Sequence, residues 1–247
     1  MYGSARFALL LGGIGGLVVL LASPPAFAMT MTWDNGATKA QDKNKWGTGG
    51  RQKKNWNPNT NPMNTDDIAI FTGAGDSGIE LKKDLSIGEI HFDSATTGYD
   101  ISGLKTLTFD VSVGSAAVNV LLSNTASHEL GMSMLLSDDL VIDHQGSGDL
   151  TLSGVISGAG RNVTVQGSGS TVMSGANSYD GTTTVTGGTL SLGADNVFAD
   201  SSSLVIDGGT FDIGTHSDTL GSVTLQSGNL SGTGSLVVDS LVFGPGI

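Results

Sequence analysis

This 247-residue sequence contains no cysteine and is poor in aromatic residues (6%) and charged residues (14%). The absence of cysteine excludes disulfide bonds and the zinc and iron–sulfur sites that thiolates hold. Past the N-terminus, no segment reaches the roughly 20 apolar residues that a membrane-spanning helix needs, so we expect no transmembrane segment in the mature chain. Stability must therefore come from buried apolar surface and from backbone hydrogen bonds.

Basic residues are also few, because 11 Lys and Arg stand against 23 Asp and Glu, which gives a net charge of −12. Six of the basic residues lie between Lys39 and Lys54, where we interpret them as part of a solvated loop. From Leu85 onward only Lys105 and Arg161 are basic. Since an acidic surface repels phosphate groups, we expect no nucleic-acid partner.

The segment 1–28 has the pattern of an export signal. Arg6 provides a positive charge, the segment 7–21 is apolar, and Ala26-Phe27-Ala28 is a small-x-small cleavage site. Because the apolar stretch is too short for a membrane-spanning helix, we predict a signal peptide over 1–28 that is cleaved after Ala28. The mature protein is then expected to be exported through the inner membrane and to be secreted or associated with the outer membrane at the cell surface.

The abundant residue is glycine, which occurs 38 times among many β-branched and small polar residues. Glycine is costly inside helices but adopts the turn conformations that close short strands. Two series of β-prone triplets run through the second half of the chain, each repeating at about twenty residues. The first series starts at Leu150, Thr171, Leu190, Phe211 and Leu230, and the second at Val163, Thr183, Leu204, Val223 and Leu241.

A constant period near twenty that is formed by short strands predicts a solenoid, in which each turn buries its apolar residues on the next. We therefore predict an all-β fold, namely a right-handed parallel β-helix (β-solenoid) with about twenty residues per coil and roughly eleven coils. Within each triplet the first and third residues should face inward. An antiparallel β-sandwich also contains many short strands, but it does not require a constant period.

Residues 29–84 differ in composition from the rest of the chain. All three tryptophans are in this segment, at Trp33, Trp46 and Trp56. An open solenoid end exposes apolar side chains and a strand edge, so we interpret 29–84 as an N-terminal cap segment and 85–247 as the solenoid. The alternative is that exposed tryptophans stack on sugar rings. We expect the first strand of the stack at 67–71, and further strands at 87–92, around Ile101, and at 104–113, 118–122 and 140–142.

One stretch, 167–192, contains a more specific pattern. It reads Gly-Ser-Gly-Ser-Thr-Val-Met-Ser-Gly-Ala-Asn-Ser-Tyr-Asp-Gly-Thr-Thr-Thr-Val-Thr-Gly-Gly-Thr-Leu-Ser-Leu and resembles the autotransporter-associated β-strand repeat. The resemblance rests on Gly175, Ala176, Asn177, Tyr179, Gly181, Thr183, Gly188, Thr189 and Leu190, whereas Thr171 departs from a hydrophobic position. It implies a β-helical passenger that bacteria export and display at, or release from, the outer surface, often in an adhesive or unassigned role.

The family also implies a β-barrel after the passenger, built from strands of alternating hydrophobicity. The sequence runs to Ile247 without such strands, so the resemblance is to a passenger that lacks the C-terminal barrel. Three interpretations stay open: a truncated or split passenger, a secreted protein that uses the repeat alone, and a remnant without a function of its own.

The leading hypothesis for function is an exported, non-enzymatic β-solenoid that acts in adhesion or as a structural stalk, with surface glycans or proteins of a host or of the environment as partners. The alternative is a β-helical polysaccharide lyase or hydrolase. Its candidate residues are Asp138, Asp139, Asp143 and Arg161, which combine carboxylates with a guanidinium at the spacing of neighbouring coils. Because polysaccharide cleavage usually needs more basic groups, we interpret them as polar turn residues. The sequence does not specify an oligomeric state.

No pattern points to a cofactor or a metal. Gly73-Ala-Gly75-Asp-Ser-Gly78 has the spacing of a dinucleotide-binding turn, but the residues after it predict a strand instead of the required helix. The histidines, which could join a catalytic triad across coils, are scattered at one to a coil at most: His91, His128, His144 and His216. Asp207, Asp212 and Asp218 lack the nonapeptide repeat of calcium sites, so we interpret them as solvated turn residues.

Overall fold

The computed structural model of the chain describes residues 28–34, 45–47, 55–57, 62–73 and 78–245. Within these ranges the protein is mostly β-structure and contains no helix, so no helix there could cross a membrane. The predicted signal peptide lies outside the described residues except for Ala28, which is exposed. The predicted basic loop also lies outside them, apart from Lys45.

Short strands make up nearly all of the regular structure. In chain order they are β1 (Thr30–Trp33), β2 (Lys45–Trp46), β3 (Trp56–Asn57), β4 (Ile68–Phe71), β5 (Gly78–Leu81), β6 (Leu85–Ile87), β7 (Glu89–Phe92), β8 (Asp100–Ser102), β9 (Thr106–Phe109), β10 (Ala116–Val120), β11 (His128–Leu130), β12 (Ser133–Leu136), β13 (Leu140–His144), β14 (Asp149–Leu152), β15 (Ile156–Ser157), β16 (Val163–Gly167), β17 (Ser170–Met173), β18 (Thr182–Val185), β19 (Thr189–Leu192), β20 (Ser203–Asp212), β21 (Ser217–Ser231) and β22 (Ser235–Phe243).

The chain winds around three faces and returns to each face once per coil. Face 1 contains β4, β7, β10, β13, β16 and β18, face 2 contains β5, β8, β11, β14, β17 and β19, and face 3 contains β6, β9, β12 and β15. The long strands at the C-terminal end continue around corners: β20 and β22 each extend over two faces, and β21 extends over three. Strands of neighbouring coils pair in parallel, which confirms the predicted solenoid and excludes the β-sandwich.

The two sequence series are the columns of residues that neighbouring coils place side by side. The first series, from Leu150 to Leu230, forms a column on face 2 in which each member pairs with the next. The second, from Val163 to Leu241, does the same on face 1. The period read from the sequence is therefore the register between coils in this half of the protein.

In the described residues the solenoid has about eight turns of roughly 21 residues, fewer than the eleven coils expected. Some coils in the first half are longer than the period predicts. On successive coils of face 1, Glu89 pairs with Ala117, and Ala117 pairs with Val141. Corner loops of this kind lengthen a coil without adding a strand. Dividing the chain length by the period therefore overestimates the number of coils.

The predicted alternation of inward and outward residues is confirmed. In β14 and β16, the first and third residues of each triplet are buried and the middle one is partly exposed. The inward residues form one continuous core along the solenoid. In the last described coil the same positions, Leu230 and Leu241, are 39% and 50% exposed, because no described strand packs over them.

Two strands predicted from the sequence are shortened or divided in the structure. The predicted strand at 104–113 is reduced to β9, and both Leu104 and Val113 are fully or nearly fully exposed. Gly103 precedes it with a φ of +133°, where a side chain would be strained. The predicted strand at 87–92 is divided at Gly88, since a Cβ there would lie 2.8 Å from the Cα of Asp66 in the preceding coil.

Aromatic rings fill the N-terminal end of the core. The three tryptophans are completely buried, with ring centroids 5.1 Å apart for Trp33 and Trp56 and 5.3 Å apart for Trp46 and Trp56. They pack on Phe71 of β4, and β3 pairs with β1 in an antiparallel orientation. These rings have no surface free to stack on sugars. Solenoid strands also occur within 29–84, because β1 pairs in parallel with β4.

The close approach of coils at the corners predicts a steric effect that depends on position. A Cβ added to Gly181 would lie 2.2 Å from the carbonyl oxygen of Arg161, whereas one added to Gly78 has no heavy atom within 4 Å. We expect Gly181→Ala to destabilise the protein by about 1–3 kcal/mol. Gly78→Ala is the matched control and should be neutral or slightly stabilising. Urea unfolding followed by circular dichroism measures both, and equal effects of the two substitutions would contradict the proposed corner packing.

Candidate functional site

The residues of the 167–192 pattern join consecutive coils. Asn177 accepts a hydrogen bond from the backbone N–H of Ile156 in the coil before it (2.8 Å, at Oδ1). Its own backbone N–H donates to the carbonyl of Val197 in the coil after it (2.9 Å). One asparagine thus connects three coils, at a position where its side chain is 7% exposed.

The buried hydroxyl groups of the pattern bond to each other or to a histidine. The hydroxyl of Tyr179 lies 2.7 Å from Oγ1 of Thr183, and both side chains are buried. Burial raises the pKa of Tyr179, so this phenol stays neutral. Thr171 is the other threonine among the starting positions of the two sequence series, and its Oγ1 lies 3.4 Å from Nδ1 of His144. These contacts explain why threonine is tolerated at positions that are otherwise apolar.

The glycines of the pattern stand where the backbones of two coils touch. A Cβ added to Gly175, Gly181 or Gly188 would lie 2.2–2.4 Å from a carbonyl oxygen of the preceding coil. Thr189 and Leu190 belong to β19, in which Leu190 is buried, and Ala176 is exposed at the corner. Each residue of the pattern except Ala176 therefore has a visible part in stacking.

Asp218 occupies the equivalent position two coils after Asn177. Its Oδ2 accepts hydrogen bonds from the backbone N–H groups of Val197 (2.9 Å) and Phe198 (3.1 Å), and its Oδ1 accepts one from Thr219 (2.8 Å). The side chain is only 2% exposed, so the interpretation of Asp218 as a solvated turn residue is wrong. Burial raises the pKa of this carboxyl, although the three hydrogen bonds oppose that shift.

The outer surface of face 1 carries two parallel columns of side chains. The polar column consists of His91, Asn119, Asp143 and Gln166, which pair directly with one another across β7, β10, β13 and β16. The methyl column beside it consists of Ala117, Val141, Thr164, Thr184 and Val205, each of which presents a methyl group. All the members of both columns are partly exposed.

Hydrogen bonds along the polar column fix its side chains. Asp143 accepts from Nε2 of Gln145 (2.6 Å) and from Nε2 of Gln166 (3.2 Å). Glu89, on the same face, contacts Nε2 of His91 at 2.6 Å and accepts from Nδ2 of Asn119 at 3.3 Å. The hydrogen bond with His91 holds the pKa of Glu89 below its usual value.

Comparison with protein families finds one matching repeat. Residues 163–192 match the family described as the passenger-associated-transport-repeat. The repeat and the β-solenoid together fit an autotransporter passenger-like repeat protein. The match spans one coil and the start of the next, and it includes all the residues that carry the resemblance in the sequence. Neither a curated protein nor a solved structure matches the chain.

Three of the candidate catalytic residues of this passenger-like protein, Asp138, Asp139 and Arg161, lie at the corner between faces 3 and 1. Asp138 lies 4.0 Å from Nη1 of Arg161, and it also accepts a hydrogen bond from the backbone N–H of Val111 (2.9 Å). Asp139 accepts hydrogen bonds from the backbone N–H (2.9 Å) and the side-chain amide (3.1 Å) of Asn162. Asp143 belongs to the polar column instead. The contacts of Asp138 and Asp139 connect neighbouring coils.

Residues considered for cofactors or metals do not come together. Asp207 accepts from the hydroxyl of Ser227 (3.0 Å), and Asp212 accepts from the backbone N–H of Gly214 (3.0 Å). No three His, Asp or Glu residues of the described ranges form a group that could hold a metal ion. Gly78 begins β5, so a strand follows the dinucleotide-like turn, as expected.

Two histidines are buried in the core, which the sequence did not indicate. His128 is 2% exposed, stacks on Phe92 with ring centroids 4.1 Å apart, and accepts at Nδ1 from the backbone N–H of Tyr99 (3.1 Å). Its Nε2 contacts the side-chain amide of Asn124 at 2.5 Å. Burial and the nearby His144 lower the pKa of His128 to about 4, and burial also lowers that of His144. Outside them lies an open depression of about 300 Å³ lined by Gly98, Tyr99, Asp100, Ser127, His128, Glu129 and Thr151.

The buried carboxylate predicts a large cost for losing its acceptor atoms. Asp218→Ala leaves the N–H groups of Val197 and Phe198 without partners, and we expect a cost of about 1–3 kcal/mol for each buried donor. Asp207→Ala, which removes one exposed contact, should change stability by less than about 0.5 kcal/mol. Chemical denaturation of both variants tests this. Similar losses from the two substitutions would mean that Asp218 does not join the coils.

The buried imidazole of His128 predicts acid sensitivity. In the unfolded chain the ring gains a proton near pH 6.5, but in the folded protein only near pH 4, so the folded state loses stability as the pH falls from 6.5 towards 4. From pH 7 to pH 5 we expect His128 to account for a loss of about 2 kcal/mol. His128→Asn keeps an acceptor for Tyr99 and should show a correspondingly smaller loss between urea unfolding at the two pH values. An unchanged pH dependence would contradict the shifted pKa.

Proposed function

We propose that this passenger-like protein is exported and acts, without catalysing a reaction, as a rigid surface or secreted element whose long faces make contact with other surfaces. The observation that carries this proposal is that polar side chains join neighbouring coils. Asp138, Asp139, Asn177 and Asp218 all accept hydrogen bonds from backbone N–H groups of a neighbouring coil. Carboxylates held in this way stabilise a rod and are poorly placed to act on a substrate.

The stacking pattern also suits a chain that is exported before it folds. Each coil contacts its neighbours, so folding can start at one coil and continue along the chain as it emerges. The sequence contains no cysteine, so folding does not depend on disulfide formation after export. The passenger-associated-transport-repeat at 163–192 supports the same role.

An adhesive role, rather than only that of a stalk, is supported by face 1. Its inward residues are fixed by core packing, but its outward residues are not, and they form the ordered polar and methyl columns. A stalk needs only solubility from this surface, for which scattered charged residues suffice. Long, regular faces of this kind are what solenoid proteins use for binding.

Export can be tested directly with the full chain in a Gram-negative bacterium, using an epitope tag at the C-terminus. We expect a mature protein that starts at Met29 by mass spectrometry and is absent from the cytoplasm. Val18→Asp combined with Val19→Asp interrupts the apolar stretch and should leave an unprocessed, cytoplasmic chain.

Accumulation of the wild-type chain in the cytoplasm, with 1–28 attached, would overturn the proposed export. The purified mature protein should release no reducing ends from neutral or acidic polysaccharides. Release that Asp139→Ala abolishes would instead support the lyase or hydrolase hypothesis.

A further inference from the structure

We propose that the polar and methyl columns of face 1 form a binding surface for an extended, neutral polysaccharide that lies along the solenoid axis. This inference rests on the proposed adhesive role and adds the location of the surface and the chemical class of the partner. It is carried by the geometry of the columns, by their unused hydrogen-bonding groups and by their charge.

The spacing of the columns matches that of a glycan chain. Parallel strands of neighbouring coils lie about 4.8 Å apart, so each column presents one side chain at that interval. This is close to the length of one sugar unit in an extended polysaccharide. A chain lying along the columns could therefore place successive sugars over successive coils, from Asn119 in β10 to Gln166 in β16.

The two columns also match the two sides of a sugar ring. A pyranose has C–H groups on its faces and hydroxyl groups around its edge. The methyl column, from Ala117 to Val205, offers an apolar strip for the C–H groups. The polar column offers amide, carboxylate and imidazole groups, which bond to hydroxyls as both donors and acceptors.

Two amides of the polar column, Asn119 and Gln166, and the amide of Gln145 next to the column keep free hydrogen-bonding groups. Asn119, Gln145 and Gln166 each donate one N–H to a carboxylate of the same face. A primary amide has a second N–H and an oxygen, and the described residues provide no further partner for them. The carboxylates therefore hold the amides in place while leaving groups available for a ligand, which lowers the entropic cost of binding.

Charge selects against acidic polymers. Glu89 and Asp143 lie on this face, and the protein as a whole has a net charge of −12. Uronic acid and sulfated polysaccharides would be repelled, whereas a neutral polymer would not. The tryptophans are buried at the N-terminal end, so binding would rest on many weak contacts along the face instead of strong ring stacking.

The proposal can be tested by co-sedimentation of the purified mature protein with insoluble cellulose and chitin, with calcium-gelled alginate as the acidic polymer. We expect binding to at least one neutral polysaccharide and little to alginate. Asn119→Ala combined with Gln166→Ala should weaken that binding at least tenfold. Thr151→Ala combined with Ser191→Ala, two outward positions on face 2, is the matched control and should bind like the wild type. Thermal unfolding of each variant shows that the fold is intact.

Three results would overturn the proposal: no binding to either neutral polymer, stronger binding to alginate, or equal losses in the face 1 and face 2 variants. Any of them would leave the proposed export untouched, because processing and location are measured separately. Binding to a protein surface with no binding to the polysaccharides would likewise reject the glycan and assign face 1 to a different class of partner.

Discussion

Each coil of this solenoid must bury its apolar side chains against the neighbouring coils and pair its backbone hydrogen-bonding groups with theirs. The chain has no cysteine, so no disulfide bond contributes to its stability. On the faces, parallel pairing in register meets both needs at once. Where the pairing of strands is interrupted, side-chain oxygens accept backbone N–H groups of a neighbouring coil: Asn177 accepts from Ile156, Asp139 from Asn162, and Asp218 from Val197 and Phe198. Glycine at Gly175 and Gly181 then allows the backbones to approach closely enough for these bonds to form.

This division of labour separates stability from recognition. Inward positions and corners are constrained by packing, so most polar side chains there are engaged in holding the coils together. The outward positions of the faces are free of that constraint, and on face 1 they align His91, Asn119, Asp143 and Gln166 into a single column. Binding by such a protein is therefore a property of a surface that extends over several coils, unlike the concave pocket of a typical enzyme.

The sequence predicted the part of the fold that depends on a constant period. From Leu150 onward, the spacing of the triplets is the register between coils, and the burial of Thr171 and Thr183 follows from their place in the two series. The register in the first half of the chain does not follow from a constant period, because corner loops of different length separate the paired strands, as between Glu89 and Ala117. The polar column depends on the register between coils in this first half, and the burial of His128 and Asp218 depends on contacts between coils. None of these features could be predicted from the period alone.

The register between neighbouring coils is the central claim, and disulfide trapping in this cysteine-free chain tests it most directly. Thr164 and Thr184 pair on adjacent coils about 4.8 Å apart, which suits a disulfide, whereas Thr164 and Val205 are two coils and about 9.6 Å apart, which does not. Under mild oxidation, Thr164→Cys with Thr184→Cys should form an intramolecular disulfide in the folded protein, and Thr164→Cys with Val205→Cys should not. Rapid cross-linking of the second pair and none of the first would contradict the stacked, in-register solenoid.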